Sequence, residues 1–287
     1  MSSRLLVALS VLALAACDRS NDERPERFRN DVFVYTGLVP AGMPVYVRNL
    51  RGAITVEPSA DDSLRVSADL AWRGDEKVPT DISFSGDALP NGILICSKFG
   101  KAECTTDNYT SNSDGGIRLG SRGARFSLGG GSDAKVTFRI QVPAGVRLDL
   151  VGVDADITSA STAPVKARTV NGDLTIATSV GPVDLKTLNG DIDARMTTLS
   201  GPDSVSVETL NGEVWVFLPE TVGAFVNAST TNGSLTTDFP VPAPTSGERK
   251  KLEATLGAGG TPVHVRTLNG SVGIGRLDAA GRSYARP

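Results

Sequence analysis

Residues 183–194 read VDLKTLNGDIDA, and nearly the same phrase stands at 165–176 (VKARTVNGDLTI) and at 205–216 (VSVETLNGEVWV). Repetition of this kind decides a fold before any other signal does. Aligned on Asn-Gly, five copies share Thr-x-Asn-Gly, then one residue, then an aliphatic. The turn pairs are Asn171-Gly172, Asn189-Gly190, Asn211-Gly212, Asn232-Gly233 and Asn269-Gly270. The asparagines are 18, 22, 21 and 37 residues apart, and the wide last gap leaves room for a loop at Pro240–Lys251 and an extra turn of the coil. Pro164, Pro182, Pro202 and Pro262 each precede an asparagine by 7 to 9 residues, which marks a bend.

Between bend and turn, apolar residues alternate: Val165, Ala167 and Thr169; Val183, Leu185 and Thr187; Val205, Val207 and Thr209. After the turn come Leu174 and Ile176, Ile192 and Ala194, Val214 and Val216. Period two with β-branched enrichment is strand periodicity. Asn-Gly also suits antiparallel hairpins, so a sandwich or barrel is the competing architecture. A meander has no need of Thr and Asn at fixed places. A coil lying on its predecessor does, because equivalent residues then stack about 4.8 Å apart. The expectation is an all-β chain, a parallel β-solenoid (β-helix) of short irregular coils. Its asparagines would bond from coil to coil as a ladder, and each following glycine would turn the corner at positive φ.

Weaker copies extend the coil. Val45–Val56 is the same phrase with one extra residue, and Gly152–Ile157 is a degenerate turn without Asn-Gly. The solenoid domain is expected at 31–275, with an insertion at about 86–133 and a tail at 276–287.

The start of the chain reads differently. Arg4 precedes the apolar run Leu5–Leu14, which is too short to span a bilayer as a lasting helix. Leu14-Ala15-Ala16-Cys17 follows, and residues 1–16 resemble a bacterial lipoprotein signal peptide. That resemblance implies lipidation of Cys17, with 17–30 as lipidated cysteine and polar tether. An ordinary cleaved signal is the alternative. The expected location is the bacterial cell envelope, anchored by lipid and facing the periplasm or the surface. Asp18 resembles an inner-membrane retention signal, but the choice of membrane stays open.

Export places thiols in an oxidising compartment. Cys96 and Cys104 lie close together, and His264 is the sole histidine, whereas a zinc site needs about four ligands. A local disulfide is expected, worth about 2–3 kcal/mol in the chain-entropy picture. Free thiols, or pairing with another chain, are the alternatives.

Chemistry is sparse. Without Arg4, 28 basic and 32 acidic residues leave a charge of −4, and no basic patch stands out, so no nucleic acid is expected as partner. No catalytic motif, cofactor motif or metal motif is legible, and His264 reads as an exposed strand residue. The residues after Asn-Gly would stack Asp173, Asp191 and Glu213 in a column with Asp156. Acidic turn residues facing water explain that column, and Ca²⁺ bridging it is a weaker candidate. Val170, Leu188, Leu210 and Leu268, each between Thr and Asn, are expected to tuck back over the corner.

The set of phrases has a family likeness. Val-Pro-Ala-Gly at 39–42 and 142–145, the recurring Thr-x-Asn-Gly-Asp-[Leu/Ile], Phe217-Leu218-Pro219, TTNGSLTTDFP at 230–240 and VRTLNGSV at 265–272 resemble the bacterial "putative adhesin" family. That is a family of short β-solenoid domains of unknown function, related to autotransporter adhesin head domains. The resemblance covers roughly 32–275 apart from the insertion, and it brings no catalytic residues. It implies a non-enzymatic, lipid-anchored binding, adhesion or structural module whose partner is an envelope protein or glycan. The alternatives are a polysaccharide-active β-helix lyase or hydrolase and an envelope-signalling scaffold.

Overall fold

A computed structural model describes residues 26–74, 77–107, 109–110, 133–199, 203–245, 250–278 and 280–283. The expected signal peptide at 1–16, Cys17, most of the expected tether and Pro202 lie outside the described residues.

The strand before each Asn-Gly and the strand after it go to different sheets. Strands β12 (Val165–Arg168), β14 (Val183–Lys186) and β16 (Val205–Glu208) run parallel in one ten-stranded sheet. Strands β13 (Leu174–Thr178), β15 (Ile192–Met196) and β17 (Val214–Pro219) run parallel in the other. Register follows the repeat: Val165 pairs with Val183, Leu185 with Val207, and Leu174 with Ile192 and then Val214. The inward residues are buried in continuous columns between the sheets. Each coil alone cannot cover its apolar face, so stacking supplies the core. Among the described residues there is no helix.

The degenerate copies are coils too. Strands β10 (Arg147–Asp154) and β11 (Ile157–Ser161) pair with β12 and β13. Beyond them lie β2 (Pro44–Arg51) and β3 (Ile54–Pro58), and then β6 (Gly92–Phe99) and β9 (Lys135–Val142).

Chain order and spatial order part at both ends. The first coil in sequence, β2/β3, sits between β6/β9 and β10/β11. The last coil, β21 (Thr261–Asn269) and β22 (Val272–Leu277), pairs directly with β16 and β17. It displaces β18 (Ala224–Asn232) and β19 (Leu235–Thr237) to the outside. The extra turn of coil expected in the 37-residue gap is instead β20 (Lys250–Leu256), antiparallel to the outer edge of β18. That antiparallel strand reverses the chain and occupies the outer edge, so the final coil enters between its predecessors.

The other end is closed the same way. Strand β4 (Ser63–Arg73) runs antiparallel to β9 and to the edge strand β1 (Glu26–Leu38). Strand β5 (Ile82–Leu89) runs antiparallel to β6. Phe84 fills the gap between the sheets, stacked on Phe33 at 5.7 Å and edge-on to Phe138 at 6.4 Å.

Several sequence boundaries move. Residues 26–30 belong to β1 rather than to a tether, because the backbone of residues 26–29 pairs with β4. The insertion begins after Phe99 and not near 86, since β5 and β6 are sheet strands. It carries the short pair β7 (Glu103–Cys104) and β8 (Tyr109–Thr110). Cys96 and Cys104 are joined, with Cα atoms 6.4 Å apart. The start of the expected tail is folded, where the Asp278 carboxylate accepts the N–H groups of Ala280 and Arg282, both at 2.9 Å.

Candidate functional site: the corner of the stack

The asparagines do form one column. Asn171, Asn189, Asn211, Asn269 and Asn232 follow one another in space. Each side-chain Nδ2 donates to the Oδ1 of the neighbour nearer the N-terminal end: Asn189 to Asn171 and Asn211 to Asn189 at 2.8 Å, Asn269 to Asn211 and Asn232 to Asn269 at 2.7 Å. The first, Asn171, donates to Asp154 Oδ1 at 2.7 Å. An ionised carboxylate only accepts. Asp154 therefore sets the direction of every amide in the ladder.

The ladder lies on the exposed surface, whereas the buried polar column is the threonines. Thr187, Thr209, Thr267 and Thr230 donate their hydroxyls to the carbonyls of Gly172, Gly190, Gly212 and Gly270, at 3.2, 3.1, 3.0 and 2.7 Å. Thr169 donates to Ala155 O at 3.0 Å. Each threonine thus ties its coil to the preceding corner in space. The glycines are required by the spacing of the coils. At Gly212, φ is 153°, and a Cβ would stand 2.0 Å from Gly190 O.

The acidic column also bonds between coils. The N–H of Asp173 donates to Asp156 Oδ1 at 3.0 Å, that of Asp191 to Asp173 Oδ1 at 2.8 Å, and that of Glu213 to Asp191 Oδ1 at 2.7 Å. These carboxylates take the place of a backbone partner at the turn. The weak calcium candidate gains nothing from this geometry: among the described residues no group of three or more His, Cys, Asp or Glu is arranged to hold a metal.

Tucking of the aliphatic stripe holds only at one end. Val170 is buried against Val153, with Leu50 and Leu188 packed beside them. Leu268 is half-buried, and Leu210 is exposed. His264 is exposed on its strand, between Ser206 and Asn227.

What the repeat pattern missed is where the ladder stops. The Val45–Val56 copy places Arg51, not Asn49, level with Asp154. Arg51 Nε lies 3.7 Å from Asp154 Oδ2. Asn49 turns into the core instead, where its Oδ1 accepts Ser97 Oγ at 2.7 Å and its Nδ2 donates to Val136 O at 2.8 Å. The one-residue excess in that copy, and Asp154 in the Asn place, were the signals available. Beside this break a cleft of about 750 Å³ opens, lined by Arg51, Arg73, Lys135, Asp154, Asp156 and Asn171 among others. Both cations and carboxylates line it, which suits a ligand rich in hydroxyls or carrying both charges.

The insertion is docked by one buried side chain. Arg48 is 1% exposed. Its Nε donates to Thr105 O at 3.2 Å, and its Nη2 donates to Thr106 O. Nη1 donates to Asp149 O at 2.8 Å and pairs with Asp149 Oδ1 at 2.9 Å. Burial pushes the guanidinium pKa down, and the Asp149 charge opposes that.

The described residues can be set beside known proteins. No curated protein matches the sequence. Among solved structures, a "putative cell adhesion protein" from Clostridium sporogenes is 12% identical, with 86% of this chain and 100% of that one covered at a TM-score of 0.38. A "putative adhesin" from Bacteroides fragilis is 11% identical, with 86% of this chain and 97% of that one covered at a TM-score of 0.35. The Toastrack DUF4097 family matches residues 132–275, half of the length, from just before β9 into β22. The chain belongs to the Toastrack DUF4097 family.

Proposed function

We propose that this chain is an exported, lipid-anchored module of the bacterial cell envelope that binds or braces other envelope components and performs no catalysis. The observation that carries this reading is the use made of the repeated polar residues. The asparagine amides, the threonine hydroxyls and the Asp156, Asp173 and Asp191 carboxylates all bond to the adjacent coil. The chemistry written into the repeat is architectural. The closed Cys96–Cys104 bridge is in keeping with an oxidising compartment. Leu14-Ala15-Ala16-Cys17 supplies the expected anchor. The cleft beside Arg51 and Asp154 is the place where an envelope protein or glycan would be held.

The anchor is tested by cell fractionation of wild type and Cys17→Ser. Wild type should sediment with membranes, and the variant should be released or remain unprocessed. Equal partitioning of two fully processed chains would refute the anchor. Binding is tested by cross-linking the membrane-held protein to envelope fractions. Arg51→Glu should reduce the yield at least several-fold if the cleft is the contact, and an unchanged yield removes the cleft from the reading.

A further inference from the structure

We infer that the outer face of β1 rests on the lipid bilayer surface, so that the solenoid stands with its N-terminal end against the membrane. The inference rests on the anchoring proposed above and adds the surface that meets the lipid.

Six large apolar side chains are exposed among the described residues. The three most exposed, Phe28 at 68%, Val34 at 65% and Leu38 at 78%, share one strand and one face. Phe28 stands level with Ala71, Val34 with Ser67 and Leu38 with Ser63, all outward residues of β4. Their direct cross-strand neighbours are small, and Val34 forms part of the wall of a shallow cleft that Arg65 and Arg139 also line. Val180, Leu210 and Phe225, at 38%, 39% and 51%, are scattered over other coils.

The length of chain ahead of β1 selects the occupant. Nine peptide links separate Cys17 from Glu26. Whatever its conformation, a segment of nine links reaches at most about 30 Å. An acylated Cys17 therefore holds β1 close to the headgroups, while Phe225 sits on β18 at the opposite end of the stack. An apolar stripe at that level enters the boundary between headgroups and acyl chains.

A second copy adding a strand to the β1 edge fits less well. The pairing of β1 with β4 shifts register between Arg29 and Phe33, and Asp31 there has φ 49° with its N–H bound to Asp69 Oδ1 at 3.0 Å. Bulges and charges such as Glu26, Arg27 and Arg29 are the features that discourage edge-to-edge pairing.

The test uses the full chain, expressed in a bacterial host and reconstituted in phosphatidylethanolamine–phosphatidylglycerol vesicles. A fraction of the lipid carries a photoactivatable group near the top of its acyl chain. After irradiation, peptide mass mapping should place lipid on the peptide holding Val34 and Leu38, at least tenfold above the peptide holding Phe225. The triple variant Phe28→Ser, Val34→Ser, Leu38→Ser should lose that labelling while remaining on the vesicles through its anchor. Equal labelling at the two sites, no label on β1, or a chain that stays in the aqueous phase would each overturn the inference. The mass of the Cys17 peptide is read in the same experiment. Lipid on Cys17 without label on β1 removes the docking face and keeps the anchor; label on β1 without lipid on Cys17 does the reverse.

Discussion

The sharpest test of the stack compares Asn269 with Asn232. In sequence Asn269 is the last of the ladder residues, and a coil laid down in chain order would leave it at the end. In space it lies between Asn211 and Asn232 and makes two side-chain bonds, both 2.7 Å long. Asn232 has a ladder neighbour on one side only. A protein hydrogen bond contributes about 0.5–1.5 kcal/mol net, and at an exposed corner water replaces much of what is lost. The low end of that range applies to each bond. Asn269→Ala should then cost about 1 kcal/mol and Asn232→Ala about 0.5 kcal/mol. The double variant should cost about as much as Asn269→Ala alone, because the bond between the two is already lost in the single change. Urea unfolding followed by tryptophan fluorescence measures all three, provided the m-value stays constant. A larger loss for Asn232→Ala than for Asn269→Ala, or strict additivity of the pair, refutes the intercalated order of the last coils.

Other outcomes follow from the same geometry. Thr209→Val keeps the shape but removes the buried hydroxyl that bonds Gly190 O, so it should cost about 1–3 kcal/mol and exceed Asn189→Ala in the same urea assay. Gly212→Ala drives a Cβ into backbone 2.0 Å away and should cost more than about 3 kcal/mol, read as loss of soluble folded protein or of the circular-dichroism β signal. Burial pushes the Tyr109 phenol pKa up, above its unfolded value of about 10. Its contribution is complete below pH 10 and is lost as pH rises toward the folded pKa, because only the unfolded chain ionises there. Wild-type stability should therefore fall with pH above 10 more steeply than that of Tyr109→Phe, by up to about 1.4 kcal/mol per pH unit, and parallel slopes would contradict the buried phenol.

Much of this molecule was legible before folding. Period-two alternation and a fixed Thr-x-Asn-Gly phrase are local signals, and they placed the strands, the corner and the ladder, since stacking equivalent residues gives each fixed Thr and Asn a partner in the next coil. The proximity of Cys96 and Cys104 likewise announced their bond. Three things were decided only by tertiary structure. The order of the coils at both ends depends on where the antiparallel strands β4 and β20 pair, and the repeat phrase carries no information about that. Burial of threonine rather than asparagine depends on the side of the corner each side chain faces, a matter of where the next coil lies. The roles of Arg48, Asn49 and Arg51 depend on partners up to 103 residues away, whose approach comes from the two sheets closing on one core.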